Sequence, residues 1–568
     1  MADWSGNYLD LGSPLRGGPR RRLRLTPDER ARHLYVVGSS GYGKSRFLES
    51  LIRQDIVNWP KSQAGLLFID PDGETFDRLM RWLVLRQGDF VVRRPIVPID
   101  LRRTDTTVAY NPLRARPGVD PSVVVDDVVA GIANVWASAD FRDMPLLEET
   151  VRGVVRALYE VGGTLPDGSL ILSAAERSLR EALGEQVSDP EARGMLRRAN
   201  DLAKKGTHTF LEYFGAARRR FALLSENTAL TASLGSGEPS LDLAQAVEDG
   251  SIILVCLSQQ GGQVGIGHAQ IFAALLLSDL WLTMRQRGKG TSRKPFYVYI
   301  DEFQDFLLPS ITKSFNQARG YGLHFTVAHQ FPSQLLLAGD VGKLLYHSVI
   351  ENTATKVAFR LQGEDLRLVS DLLHLGTYDP LKKKLELTSP AVAGFEKVVL
   401  EGWSETESSG GETEFLGNAV FVDEEGEPVS EGESSGSSTT SPQYSSTRSS
   451  HEHLMPTYEE RVSSVQYFPL EEQRHAAMLA LRSQNPRIGT VLMPGDSTPM
   501  TFRSANIPNV PLSDRLVEKY RRSVIGRLPI VRSRAEALLQ QTRRQEALRR
   551  AEREVVVEHP LPRVLPTE

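Results

Sequence analysis

The stretch HLYVVGSSGYGKS at positions 33–45 constrains this chain more than any other. An apolar run from His33 to Val37 stops at a glycine-rich turn, and a helical pattern, RFLESLIRQDIV, follows at once. This reads as strand, loop, helix, with Gly-x-x-x-x-Gly-Lys-Ser laid across Gly38, Ser39, Ser40, Gly41, Tyr42, Gly43, Lys44 and Ser45, and Arg46 next in line. Glycines let the backbone curl so that several N–H groups point at phosphate oxygens. The unpaired N–H groups and positive dipole end of the helix favour the same anion. Lys44 is spaced to reach the β- and γ-phosphates of ATP, and Ser45 to ligate Mg²⁺.

With 568 residues, the chain is too long for one simple domain. A net charge of −4 gives no bulk attraction to nucleic acid, so any such contact needs a local basic surface. The single cysteine, Cys256, excludes an internal disulfide and a cysteine-built zinc site, and reads as a small buried residue. No uncharged apolar stretch reaches 18 residues, and the first residues lack the apolar core of a signal peptide. The expectation is a cytoplasmic protein without a membrane anchor.

Taken in order, residues 1–32 read as an irregular basic arm containing Arg20, Arg21, Arg22 and Arg24. Residues 33–118 alternate strands and helices: the phosphate loop, then AGLLFIDPDGETF, then PIVPIDL. That rhythm predicts a mostly parallel sheet covered on both faces. Residues 119–235 carry helix-period segments with no strong strand between them, so an all-α insertion is predicted there. Its Lys204, Lys205, Arg218, Arg219 and Arg220 suit either a DNA-facing patch or an ordinary charged helix surface. The α/β pattern resumes over 236–403. Residues 404–453 are rich in Ser, Gly and Glu and predict a disordered loop. A return to the core is expected over 454–510, and 511–568 reads as a basic helical tail, solvated by default.

KPFYVYIDEFQDF supplies the chemistry that the phosphate loop lacks. Phe296–Ile300 reads as a buried strand that delivers Asp301 and Glu302 at its C-terminal edge, where ligands bind in a parallel sheet. Asp301 would hold Mg²⁺ through water, and Glu302 would orient or deprotonate the attacking water. A further strand, LHFTVAHQ, ends at Gln330, a polar tip able to sense the γ-phosphate. The last core strand, TATKVAFRL, carries Arg360.

GSSGYGKS, FIDPDGE, YNPL, VYIDEFQDF, ARGYGLHFTVAHQFPSQL and KVAFR, in that order and interrupted by a helical insertion, resemble the HerA/FtsK superfamily of P-loop ATPases. Within it the chain looks most like the soluble part of type IV secretion coupling proteins of the TraD/TraG type. The resemblance implies a RecA-like P-loop NTPase core. It also implies an ATPase that forms a homohexameric ring and pumps DNA, with Lys44, Glu302, Gln330 and Arg319 catalytic and Ser45 and Asp301 at the metal. Arg319 would reach the neighbouring subunit's γ-phosphate, with Arg360 the weaker alternative. A nuclease, a relaxase or secretion machinery would be the partner. Two other readings are a secretion or pilus ATPase that moves protein, and a nucleotide-gated scaffold for a nuclease. Relatives open with transmembrane helices or a small β-barrel; the 32 residues before His33 lead us to expect neither here.

Overall fold

The computed structural model describes residues 8–15, 22–86, 90, 93–136, 144–290, 293–306, 315–337, 339–407, 413–422, 428–438 and 444–558. The chain divides into two units, 1–378 with 473–568, and 379–472.

The first unit is built on an 11-stranded sheet. Its strands in chain order are β1 (Leu9–Pro14), β2 (Leu23–Leu25), β3 (Leu34–Val37), β4 (Gly65–Asp70), β5 (Ile96–Asp100), β7 (Ile252–Cys256), β8 (Phe296–Ile300), β9 (Leu323–His329), β10 (Thr355–Phe359), β15 (Ile488–Leu492) and β16 (Met500–Arg503); β6 (Thr106–Val108) lies outside it. The spatial order is β2-β1-β16-β15-β10-β3-β9-β8-β4-β7-β5. From β10 to β5 every neighbour runs parallel; from β10 to β2 every neighbour runs antiparallel. β9 therefore lies between β3, which feeds the phosphate loop, and β8, which delivers the acidic pair.

Strands buried on both faces read as unbroken apolar runs. In β3, Leu34 and Val36 face one layer while Tyr35 and Val37 face the other, and β4 splits Leu66 and Phe68 from Leu67 and Ile69 in the same way. Helices α1 (Lys44–Ser62) and α2 (Glu74–Arg86) cover the first layer. The second is covered by α3 (Pro121–Trp136), α4 (Pro145–Glu160), α5 (Arg177–Gln186), α6 (Pro190–Lys205), α7 (Thr207–Glu226) and α8 (Ile266–Arg287). The helices inserted between β6 and β7 thus share one apolar core with the sheet. Helix α3 packs so closely on α8 that a Cβ on Gly131 would lie 2.9 Å from Ser278 Oγ. Among the described residues α8 is the one helix long and apolar enough to cross a membrane, and it is largely buried in this core.

Three expectations need correcting. The N-terminal arm is not irregular where it is described: Leu9, Leu11, Leu23 and Leu25 are buried, and β1 and β2 extend the sheet. Arg22 pairs with Asp10 at 2.7 Å, while Arg20 and Arg21 lie outside the described residues. The period-two pattern was too short, and too interrupted by Gly and Pro, to read as strand.

The tail is docked rather than solvated. Helices α10 (Asp514–Ser523) and α11 (Arg534–Glu558) send Arg521 to Asp77 at 3.3 Å, Arg544 to Asp167 and Arg549 to Glu176 at 2.7 Å, and Ala537 is buried. Glu518 of α10 pairs with Arg103 at 2.7 Å, and β17 (Val531–Ser533) pairs with β6. Arg521, Arg544 and Arg549 are thus matched by carboxylates hundreds of positions away.

The expected return to the core at 454 begins later. Residues 454–467 belong to the second unit, and β15 and β16 make the return, bordered by α9 (Leu470–Arg482).

The second unit is a ribbon in which β11 (Lys383–Glu407) pairs antiparallel with β14 (Tyr444–Tyr467), and β12 (Thr413–Val422) with β13 (Pro428–Ser438). The expected disordered loop, 404–453, coincides with its distal part, of which 408–412, 423–427 and 439–443 lie outside the described residues. Among its described side chains the ribbon forms no core. Its described side chains are nearly all open to solvent.

Candidate nucleotide site

The phosphate loop is pinned on both flanks. Gly38 N–H donates to the His329 carbonyl at 3.4 Å, and Ser39 N–H to the Arg360 carbonyl at 2.9 Å. A Cβ on Gly38 would stand 2.7 Å from Phe359 Cβ, so only glycine lets β3 and β10 approach this closely. Gly43, at φ +107°, starts α1 at Lys44, and the first turn of that helix carries no acidic residue. Its N-terminus therefore presents free N–H groups and a positive dipole end to an anion. Ser40 and Gly41 are exposed at the tip of the loop, and Ser45 is half-buried.

Lys44 is buried, 4 % exposed. Its Nζ donates to Glu302 Oε1 and lies 3.2 Å from Asp301 Oδ1. Glu302 sits just past the tip of β8 at φ +45°, a left-handed turn that lifts its carboxylate over the strand end. Gln330, one residue past β9, donates to Glu302 Oε1 at 2.8 Å, and Gln304 donates to Oε2 at 2.8 Å. Four residues named from the sequence, Lys44, Asp301, Glu302 and Gln330, thus meet at the C-terminal edge of three adjacent strands. His329, fully buried behind Gln330, shares a hydrogen bond with the Tyr35 hydroxyl. Burial, with Lys44 nearby, lowers its pKa to about 3, so the ring is neutral.

Sequence reading missed three carboxylates here. Asp70 is buried and accepts N–H bonds from Asp72, Gly73 and Phe76 at 3.1, 2.9 and 2.7 Å. Burial, and then the Asp301 charge, push its pKa up to about 7. Asp305 is raised to about 6, by burial and then by Glu302. Asp72 is raised by burial, then by Glu302 and Asp301. Their only signal was the Asp-rich DPDGE and DEFQD runs after two strands.

Raised carboxyls of this kind report uncompensated negative potential, which a divalent cation relieves. Among the described residues no three His, Cys, Asp or Glu side chains are gathered to hold a metal by themselves. The donors at hand, the Ser45 hydroxyl and the Asp301 carboxylate, suit Mg²⁺, which keeps waters and takes phosphate oxygens for the rest of its shell.

Two arginines clasp the loop from its other flank. The Arg360 guanidinium lies over the Tyr42 ring, 4.7 Å from its centre. Arg487, which the sequence did not single out, donates its backbone N–H to the Tyr42 carbonyl at 3.1 Å and would stand 3.4 Å from a Cβ on Gly43. Arg46 pairs with the fully buried Glu49 at 3.2 Å and bonds to Asn509. Arg319 is not brought to the site of its own chain. It is exposed in the turn Ala318–Tyr321 before β9, and seven strand residues at about 3.3 Å each put it roughly 20 Å from Gln330.

No protein-family model matches the chain, and no curated protein matches it. Among solved structures, the fold is similar to the unbound form of the bacterial conjugative coupling protein TrwBdeltaN70, with a TM-score of 0.46, 14% identity, and coverage of 86% of this chain and 88% of that one. Plasmid coupling protein TrwB in complex with ADP and Mg2+ is similar at TM-score 0.47 and 13% identity, covering 88% and 95%. VirB4 of Thermoanaerobacter pseudethanolicus is similar at TM-score 0.42 and 15% identity, covering 66% and 88%.

Proposed function

We propose that the chain is a Mg-ATP-dependent hydrolase that assembles as a homohexameric ring and drives DNA through its central channel. The observation that carries the hydrolase reading is the contact of Lys44 with Asp301 and Glu302, the latter also held by Gln330, beside a free helix N-terminus. In this reading the loop amides and Lys44 bind the β- and γ-phosphates, and Ser45 and Asp301 hold Mg²⁺. The ion would supply charge neutralisation between the phosphates. Glu302, held by Gln330 and Gln304, is aimed to orient a water for in-line attack and to take its proton. In this reading Gln330, which donates to the Glu302 carboxylate from the residue after β9, registers the γ-phosphate.

The ring reading draws on Arg319. It is exposed and distant from its own Lys44, as a side chain offered to a neighbouring subunit must be. A finger supplied in trans is worth about 10³–10⁵ in rate. Non-specific, salt-sensitive DNA binding is expected, because a motor that grips phosphates reads no sequence. A partner nuclease, relaxase or secretion machine and a cytoplasmic site of action belong to the same proposal.

Lys44→Ala tests the site: phosphate release with Mg-ATP should fall to background, and substantial residual turnover would refute the assignment. Stimulation by long double-stranded DNA, together with six-fold rings in negative stain, supports the motor. Stimulation by a protein partner alone supports the scaffold instead.

A further inference from the structure

Helices α1 and α2 and the segment after β16 enclose a cavity of about 250 Å³ whose wall is Arg46, Arg53, Arg78, Arg81, Asn509 and Val510. Four arginines thus line one small space, and among the described residues no carboxylate lines it. Glu49, fully buried, is the anion they share: it takes Arg46 at 3.2 Å, Arg78 at 2.8 Å and also Arg53. Glu74 and Asp514, which pair with Arg78 at 3.2 Å and with Arg81, are both open to solvent, where water and salt screen them. The cluster therefore sets four cations against one buried carboxylate. Arg53 is 5% exposed, yet its Nε has no partner among the described residues. Burial first, and the like charges of Arg46 and Arg78 after it, lower the Arg53 pKa, although Glu49 opposes them. Guanidinium groups crowded in this way call for a further anion.

A wider cavity of about 1290 Å³ adjoins it and shares Arg53, Asn509 and Val510 with it. Its wall is largely apolar, with Val57, Trp82, Leu85, Ile507 and Pro508, and again no carboxylate lines it among the described residues. We propose that the two cavities form a second nucleotide site, distinct from the loop at 38–45. The arginine cavity takes the phosphate chain of a nucleoside di- or triphosphate, and the wider cavity takes its ribose and base. Four guanidinium groups round so small a space need charges on adjacent atoms. A phosphate chain supplies them and matches the guanidinium fork, whereas the carboxylates of a peptide are spread over several residues. A nucleotide held on the loop does not fill this role. Its phosphates would sit at Lys44, whereas Arg53 lies eight residues beyond Ser45, about 12 Å along α1. Such a nucleotide could offer the arginines only its uncharged end. The second site nevertheless borders the loop: Arg46 follows Ser45, and Arg487, which clasps Tyr42, lines the wider cavity.

Equilibrium dialysis of the full chain with Mg²⁺ and radiolabelled, non-hydrolysable analogues of ATP and GTP counts the sites. At least one analogue should saturate at two per chain, and at one per chain in Lys44→Ala. Arg78→Ala with Arg81→Ala should weaken the second site about ten-fold or more, the size of one lost charge-assisted bond, and leave the loop site within about two-fold. Arg81→Glu alters a single half-buried side chain and should weaken the second site likewise, so misfolding of the double variant does not end the test. Saturation at one per chain with both analogues overturns the proposal. So does one site weakened alike by Lys44→Ala and by the arginine substitutions, which would make these arginines part of the loop's own nucleotide site. Pyrophosphate should compete for the second site about ten-fold less well than the nucleotide; equal competition leaves the apolar cavity without a role and overturns the nucleotide assignment. The two readings fail separately. Two sites retained in Lys44→Ala would remove the loop assignment and leave this one, whereas a single wild-type site lost in Lys44→Ala would remove this one and leave the loop.

Discussion

In Glu302→Gln, Lys44 keeps Asp301 Oδ1 at 3.2 Å but loses a carboxylate partner. A charge-assisted hydrogen bond contributes about 1.5–3 kcal/mol and a neutral one about 0.5–1.5. An incoming phosphate must draw the ammonium away from residue 302, so the substitution lowers that cost by about 1–1.5 kcal/mol, or roughly five- to ten-fold in affinity. Loss of one negative charge from a site that also holds Asp70, Asp72, Asp301 and Asp305 acts in the same direction. The glutamine retains an acceptor for Gln330 and turns an N–H toward Gln304, whose unpartnered Oε1 can accept it after an amide flip. Turnover moves the opposite way, because removing a positioned general base costs about 10²–10⁴ in rate. Titration of a fluorescent ATP analogue with Mg²⁺ should therefore show a five- to ten-fold lower Kd, and phosphate release at saturating ATP should fall at least about 100-fold. Wild-type turnover in Glu302→Gln would remove Glu302 from the chemistry. Weaker binding would refute the competition between the carboxylate and the phosphate for Lys44.

Arg319→Ala subunits should be inactive alone, yet active when mixed with Lys44→Ala subunits that retain Arg319; failure of every mixing ratio to restore turnover removes the trans role. Asp70 gives a pH signature. Its carboxyl is raised from 3.8 to about 7 on folding, so between these values the native state binds more protons than the unfolded chain. The stability tied to it is fully present below pH 4 and is lost as pH rises towards 7, by on the order of 4 kcal/mol. Asp70→Asn gives up one acceptor of the Phe76 N–H, at about 1–3 kcal/mol, but abolishes that slope. Urea midpoints of the variant relative to wild type should climb between pH 4.5 and 7, and a constant difference would contradict the burial argument.

The phosphate loop was legible because its spacing is itself chemistry: glycines, a lysine and a helix start must fall within eight positions. Glu302 was legible by association, although 258 positions separate it from Lys44. What the sequence could not reveal was adjacency. Nothing in LHFTVAHQ says that its strand lies between the other two, and that order alone sets Gln330 against Glu302. Asp72 and Asp305 carry no signal of their own in the sequence, and only the fold crowds them beside the acidic pair. Arg487 clasps Tyr42 through its backbone, which no side-chain pattern advertises. The tail's arginines looked solvated because their carboxylate partners, Asp77, Asp167 and Glu176, belong to other elements. The ribbon was only half legible: its Ser, Gly and Glu content shows in the composition, while its pairing depends on strands far apart in the chain.

The antiparallel end of the sheet sets a timetable for biosynthesis. Ser13 of β1 pairs with Arg503 of β16, and the loop at 38–45 is braced by Phe359 and Arg487. At about 5–20 residues per second, a ribosome takes roughly 25–100 s to make the 490 residues that separate those two strands. During that interval β1 and the phosphate loop wait beside an unfinished edge of the sheet. A chain cut short anywhere before Arg487 lacks the clasp on Tyr42.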